Sequence, residues 1–173
     1  MSTTITMQRP FYLDDLEPVI TRTIAPLATE IDQTGAYPRT ALEELGKAGL
    51  LGLISAKDVG GWGEAHRAAT LVIEEIAKYC ASTAMVVCMH YAGTAVIEAY
   101  GPRETREAIA AGRHVTTLAF SESGSRSHFW ASTSSATPLG DVVRLDAKKS
   151  WITAAGEADS YVWSSRPLAA SGC

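Results

Sequence analysis

With 173 residues, 46% of them hydrophobic and 20% charged, the chain has the makeup of a globular protein and enough length for a sizeable core. A formal net charge of -4 and scattered basic residues argue against a phosphate-backbone binder, so no nucleic acid partner is expected. Three cysteines, Cys80, Cys88 and Cys173, form no C-x-x-C pair and no metal-ligand spacing, which points to reduced thiols in the cytoplasm rather than to a disulfide framework or a metal site.

The opening "MSTTITMQRPFYLDD" has no apolar run of signal-peptide length and carries acids where a transit peptide avoids them. From Leu13 to Ile31 the apolar residues Leu16, Val19, Ile20, Ile24, Leu27 and Ile31 recur at spacings of three and four, the period of one helix face, with Pro26 predicted to kink or split the element. "YPRTALEELGKAGL" reads as a second helix, with Pro38 in its first turn, Leu42 and Leu45 inward and Gly49 as its stop. The glycine-rich "DVGGWGEAH" raises the question of a phosphate cradle. Gly61-x-Gly63 would need a third glycine or alanine where His66 stands, and no P-loop lysine follows. It is read as a connection between helices, with the lining of a ligand channel as the functional alternative.

Helical periodicity resumes in "EAHRAATLVIEEIAKYC", where Ala65, Ala69, Val72, Ile73 and Ile76 make one stripe. A further helix is predicted from about Ser82, as N-cap, to Tyr100, closed by Gly101-Pro102. Its stretch "STAMVVCMHYAGTAVIEAYG" is interrupted by Ser82, Thr83, His90, Thr94 and Glu98, so it reads as a buried helix and not as a bilayer span, and no membrane partner is expected. "PRETREAIAAG" gives one more helix, ending at Gly112.

After His114 the texture changes. "VTTLAF", "VVRLDA", "SWIT" and "YVWSS" are β-branched or aromatic runs, separated by the turn-rich "TPLGD" and "AAGEADS". The predicted class is therefore α+β: an all-helical domain over residues 1–113, then strands over 114–173. Fewer than 60 residues of strand-like sequence would leave open sheet edges, so the second domain is expected to be incomplete and the chain to be part of a longer protein. His90, inside an apolar helix, reads as a hydrogen-bonded packing residue. His66, His114 and His128 lack the spaced partners of a metal site or triad, and there is no G-x-S-x-G elbow. By pattern alone Trp151, in a predicted strand, is a core residue.

Four segments in order resemble the acyl-CoA dehydrogenase family. "IAPLATEIDQTGAYPRTALEELGKAGLLGL" is similar to the family's opening helices and "VIEEIAKYCASTAMVV" to its central helix pair. "LAFSES" stands where the family carries its A-[FL]-T-E-P strand end, and "KKSWITAAGEADSYVWSSR" follows its K-x-[WF]-I-T-N-[GA]-x-x-A-[DE] segment. The resemblance implies a helical N-terminal domain and the first part of a middle β-barrel, with the family's C-terminal helical bundle absent. It also implies FAD as cofactor, an acyl-CoA or related thioester as substrate, an electron-acceptor flavoprotein and a homodimer or homotetramer.

By that resemblance Leu118, Phe120 and Ser121 would run along the flavin edge, Trp151 would pack against the ring system and the Thr153 hydroxyl would approach N5. Ser127 would lie near the cofactor pyrophosphate and the thioester arm, with Arg126 beside it as a substrate contact. Such a site makes chemical sense, because an isoalloxazine needs polar partners at one edge and a pyrophosphate needs close backbone donors. The implied reaction is α,β-dehydrogenation of an acyl thioester, for which a buried base removes the α-proton. In most members that base lies in the bundle, and no residue of this chain is assigned the role. The family's T-E-P-x-x-G-S-D becomes "SESGSRSH", so that Ser123, Arg126 and His128 replace proline, glycine and aspartate, and Ala154 replaces the common asparagine. Arg126 could contact a phosphate, stand in solvent or pair with Glu122. Two alternatives stay open: a flavin-dependent monooxygenase of the same fold, and a non-catalytic subunit that completes a partner's flavin site.

Overall fold

Apolar residues spaced for one helix face build the first element, α1 (Phe11–Val19), which buries Leu13, Leu16 and Val19. The computed structural model describes residues 9–125, 128 and 131–166. The predicted break near Pro26 takes the form of a π-helical segment over Ile20–Ile24, after which α2 (Ala25–Thr34) continues with the proline in its first turn. A proline lacks the N–H that would bond four residues back, and the wider π turn accommodates the mismatch without ending the helix. Gly35, at φ +69°, then reverses the chain.

Helix α3 (Arg39–Lys47) starts after Pro38 and buries Leu42 and Leu45, as its periodicity predicts. The "DVGGWGEAH" segment is a short 3-10 turn (Lys57–Val59) and a loop leading to α4 (His66–Ala77). The buried stripe of α4 is Ala68, Ala69, Val72 and Ile76; Ala65 caps the helix and is exposed. Helix α5 runs from Ala81 to Tyr100. Its N-cap is Cys80 and not Ser82: the Cys80 Sγ accepts from the Thr83 N–H at 3.5 Å. Cys80 and Cys88 are both free thiols. Helix α6 (Arg103–Ala110) closes the helical part. Among the described residues, no helix is long and apolar enough to cross a membrane.

Leu16, Ile24, Leu45, Leu50, Leu51, Leu53, Val72, Ile76, Val87 and Ile109 are all sealed inside this helical assembly. Each such burial contributes about 1.5–3 kcal/mol, and together they make the helical part a firm platform for the strands.

Strand β1 (Thr116–Ala119) packs directly on α5. The close approach is possible because α5 carries Gly93 there: a Cβ at that position would sit 2.8 Å from the Thr116 Cγ2. β2 (Ser135–Leu139) and β3 (Val142–Asp146) form an antiparallel hairpin around Gly140-Asp141, and β4 (Ser160–Trp163) returns to pair in parallel with β1, with Leu118 opposite Val162. Among the described residues the strands form two two-stranded sheets, with an isolated bridge between Ser135 and Arg166, so that a helical domain is followed by a partial sheet.

Two strand assignments differ from the sequence reading. "TPLGD" is not all turn, because β2 runs through Pro138; that residue sits on a two-stranded ribbon, where a missing N–H is tolerated. "SWIT" is not a strand: the chain passes from an isolated bridge at Lys149 into bends and turns over 151–157. Trp151 and Ala154 there adopt φ of 58° and 60°, the left-handed region, which interrupts any extended run.

Candidate functional site

Strand geometry places Leu118 and Phe120 on the same side as Thr116, the side that meets α5. At the end of β1 the chain therefore presents these two side chains beside Met89 of α5. Across from them stands the left-handed turn that begins at Trp151. Leu118, Phe120, Ser121, Trp151, Ile152, Thr153 and Met89 line one cleft of about 300 Å3. Five of these, Leu118, Phe120, Ser121, Trp151 and Thr153, are residues the sequence singled out. Met89 and Ile152 were not; nothing in their local sequence separates them from core positions. Arg126 and Ser127 lie outside the described residues.

The two walls are held together by backbone and side-chain bonds. The Ser150 N–H donates to the Ser121 carbonyl at 3.0 Å, and the Thr117 hydroxyl donates to the Thr153 carbonyl at 2.8 Å. Both Ser121 and Thr153 are partly exposed where they line the cleft. Trp151 is not a core residue: it is 95% exposed. A bulky indole held out from the protein by a left-handed backbone is unfavourable in water, and it gains stabilisation when a flat apolar partner covers it.

Behind the cleft sits a buried ion pair that the sequence did not reveal. The Lys149 Nζ donates to Glu122 Oε1 at 2.6 Å, and the two side chains are 4% and 2% exposed. Glu122 also accepts from the Thr133 N–H and hydroxyl, at 2.7 and 2.5 Å, and from the Ser134 N–H and hydroxyl, at 2.9 and 2.5 Å. Burial would push this carboxyl's pKa up. The bonds from Lys149, Ser134 and Thr133 outweigh that and hold it well below the usual carboxylate range. The acceptor capacity of Glu122 is thereby largely filled from Lys149, Thr133 and Ser134.

His90 lies beneath β1 and is fully buried. Its Nε2 is 2.9 Å from the Leu51 carbonyl, and its Nδ1 accepts the Thr116 N–H at 3.3 Å. The packing role expected of it is the one it has. Burial pushes its pKa down to about 4, so the ring is neutral at pH 7, as one donor nitrogen and one acceptor nitrogen require. His114 meets the Ser160 hydroxyl at 2.7 Å. Among the described residues no three His, Cys, Asp or Glu side chains are grouped to hold a metal ion.

The lining suits a flat, mostly apolar ring with a polar edge: Leu118, Phe120, Met89, Ile152 and Trp151 supply the apolar surface, and Ser121 and Thr153 supply hydroxyls. An isoalloxazine has that character, and the residues present fit it.

The mitochondrial short-chain specific acyl-CoA dehydrogenase of Homo sapiens is 31% identical over 144 residues, which cover 79% of this chain and 34% of the human protein. The structure of butyryl-CoA dehydrogenase from Megasphaera elsdenii superposes with a TM-score of 0.79 at 24% identity, covering 94% of this chain and 45% of that one. Nitrososynthase from Micromonospora carbonacea var. africana shares the fold with a TM-score of 0.73 at 23% identity, covering 90% of this chain and 41% of that one. The chain spans about a third of the length of the curated relatives it matches and less than half of these solved chains. Residues 12–112, more than half of the sequence, match the family described as "Acyl-CoA dehydrogenase, N-terminal domain", and the chain accordingly belongs to the acyl-CoA dehydrogenase family.

Proposed function

We propose that this chain supplies the helical domain, residues 1–113, and one wall of the FAD site, within residues 114–173, of an oxidoreductase that dehydrogenates an acyl thioester between its α and β carbons. The observation that carries the reading is the cleft itself: two segments about thirty residues apart in sequence meet there, one ending in Ser121 and the other turning through Trp151 and Thr153. FAD, when bound, supplies the acceptor for the β-hydride.

The chain's own residues bind and orient. Leu118 and Phe120 offer an apolar edge, and the Ser121 and Thr153 hydroxyls donate hydrogen bonds to the polar side of the ring. Trp151 covers the ring system and excludes water, which strengthens every polar contact within the cleft. Ser127 and Arg126 belong to the same reading as contacts toward the pyrophosphate and the thioester arm. The α-proton goes to a base this chain is not proposed to provide. An electron-acceptor flavoprotein, a homodimeric or homotetrameric assembly and a cytoplasmic location complete the reading.

The test is anaerobic addition of saturated acyl-CoAs to the flavin-loaded full-length protein, with visible absorbance as the readout. Bleaching of the flavin band is the expected result. A flavin that stays oxidised with every acyl-CoA, yet is reduced by NAD(P)H or a reductase and then consumes oxygen, would establish a monooxygenase instead. That second reading is kept because "SESGSRSH" departs from the family's pattern at Ser123, Arg126 and His128.

A further inference from the structure

The Glu122–Lys149 pair is set where it can act on the cleft without touching the group that fills it. Lys149 is two residues from Trp151, and Glu122 directly follows Ser121. The Lys149 ammonium bonds not only to Glu122 but to the Ser164 carbonyl at 2.6 Å, the Ser164 hydroxyl at 3.1 Å and the Phe120 carbonyl at 3.4 Å, and it stands 5.2 Å from the centre of the Trp163 ring. One buried cation thus gathers the end of β1, the end of β4 and the start of the Trp151 turn. The carboxylate adds a fourth piece of chain, because Thr133 and Ser134 close on it from the segment before β2.

We infer that Lys149 and Glu122 are positioning residues: together they clamp the Phe120–Ser121 wall against the Trp151–Thr153 wall and so fix the width of the cleft. An apolar pair of similar size could fill the same volume, often at no loss of stability. What it could not do is hold four carbonyl, hydroxyl and carboxylate oxygens around one point, and so keep a left-handed turn facing a strand end at a fixed separation. The inference rests on the reading of the cleft as a flavin site, and it gives the pair a role toward cofactor geometry that a merely structural ion pair would lack.

The experiment uses the full-length protein, flavin-free and FAD-loaded. The double variant Glu122→Gln/Lys149→Met leaves neither charge buried without its partner, so the fold is retained while the clamp is lost. The expected result is a rise of about tenfold or more in the FAD dissociation constant, with a shift of the bound flavin's visible absorption toward that of free FAD. The far-UV circular dichroism of the flavin-free protein stays that of the wild type. Should the double variant not fold, Lys149→Arg decides by the same readouts: it keeps the charge, but its planar fork cannot converge on Glu122, Phe120 and Ser164 from one point, so a smaller loss of affinity is expected. An FAD affinity and flavin spectrum equal to wild type in the folded variant overturn the clamp. So does an affinity loss fully accounted for by the unfolded fraction. A wild-type protein that takes up no flavin overturns the cleft reading and the clamp together, whereas tight binding by the wild type beside an unaffected variant overturns the clamp alone.

Discussion

His90 makes the stability of the protein depend on pH in a window that its geometry defines. The ring needs to be neutral, since Nδ1 accepts from the Thr116 N–H while Nε2 faces the Leu51 carbonyl, and the site is sealed from water. Protonation would set an N–H against Thr116 and strand a charge under β1. A histidine held at about 4 in the folded protein, against about 6.5 in the unfolded chain, binds its proton more readily when unfolded. Its contribution is therefore complete above about pH 6.5 and is lost as pH falls toward 4. Integrating between pH 7.5 and 5 gives a loss of about 2 kcal/mol. Urea unfolding at the two pH values measures it, with His90→Gln as the control, because an amide side chain keeps hydrogen-bonding capacity and does not titrate. The wild type should lose about 2 kcal/mol more than the variant over this interval. Equal losses in the two proteins would refute the reasoning. Glu122 does not confuse the comparison: its carboxyl is depressed, so its contribution is present above the ordinary carboxylate range and is lost only as pH falls below about 4.5.

Trp151→Ala should separate stability from binding. The side chain is 95% exposed, so the flavin-free protein should unfold within about 0.5 kcal/mol of the wild type, while FAD affinity measured by fluorescence titration falls about tenfold for the lost ring contact. Ala154→Gly relieves a left-handed alanine at φ 60° and should raise the unfolding free energy by about 0.5–1 kcal/mol in the same urea assay. Gly93→Ala forces a methyl to 2.8 Å from Thr116, where α5 meets β1, and should lower it by about 1–3 kcal/mol. Below about pH 4.5 the protein should lose further stability, because Glu122 binds a proton in the unfolded chain before it does in the folded one, and a Glu122→Gln variant should lack that acid step.

The helical half was legible because its signals are local. Leu42 and Leu45 of α3, and Val72 and Ile76 of α4, repeat at the helical period and are buried where that period puts them. The N-cap of α5 escaped because a thiol is a weak acceptor, and Ser82, a far commoner cap, stands two residues away. Trp, Ile and Thr made "SWIT" look extended, but its role is set by left-handed residues at Trp151 and Ala154 that no propensity favours. Pro138 made β2 look like a turn for the opposite reason, since a two-stranded ribbon can hold a proline. Of the cleft, the hydroxyl and aromatic residues could be named from the sequence through the family's motifs. The clamp behind it could not: Glu122 and Lys149 are 27 positions apart and only the tertiary fold brings them together.

The central claim is that one planar ring is gripped between the end of β1 and the Trp151 turn. A crystal structure of the FAD-loaded full-length protein tests it most directly. It should place the isoalloxazine against Trp151, with the Ser121 and Thr153 hydroxyls within hydrogen-bonding distance of its polar edge. A flavin bound elsewhere, with this cleft filled by the protein's own side chains, would contradict it.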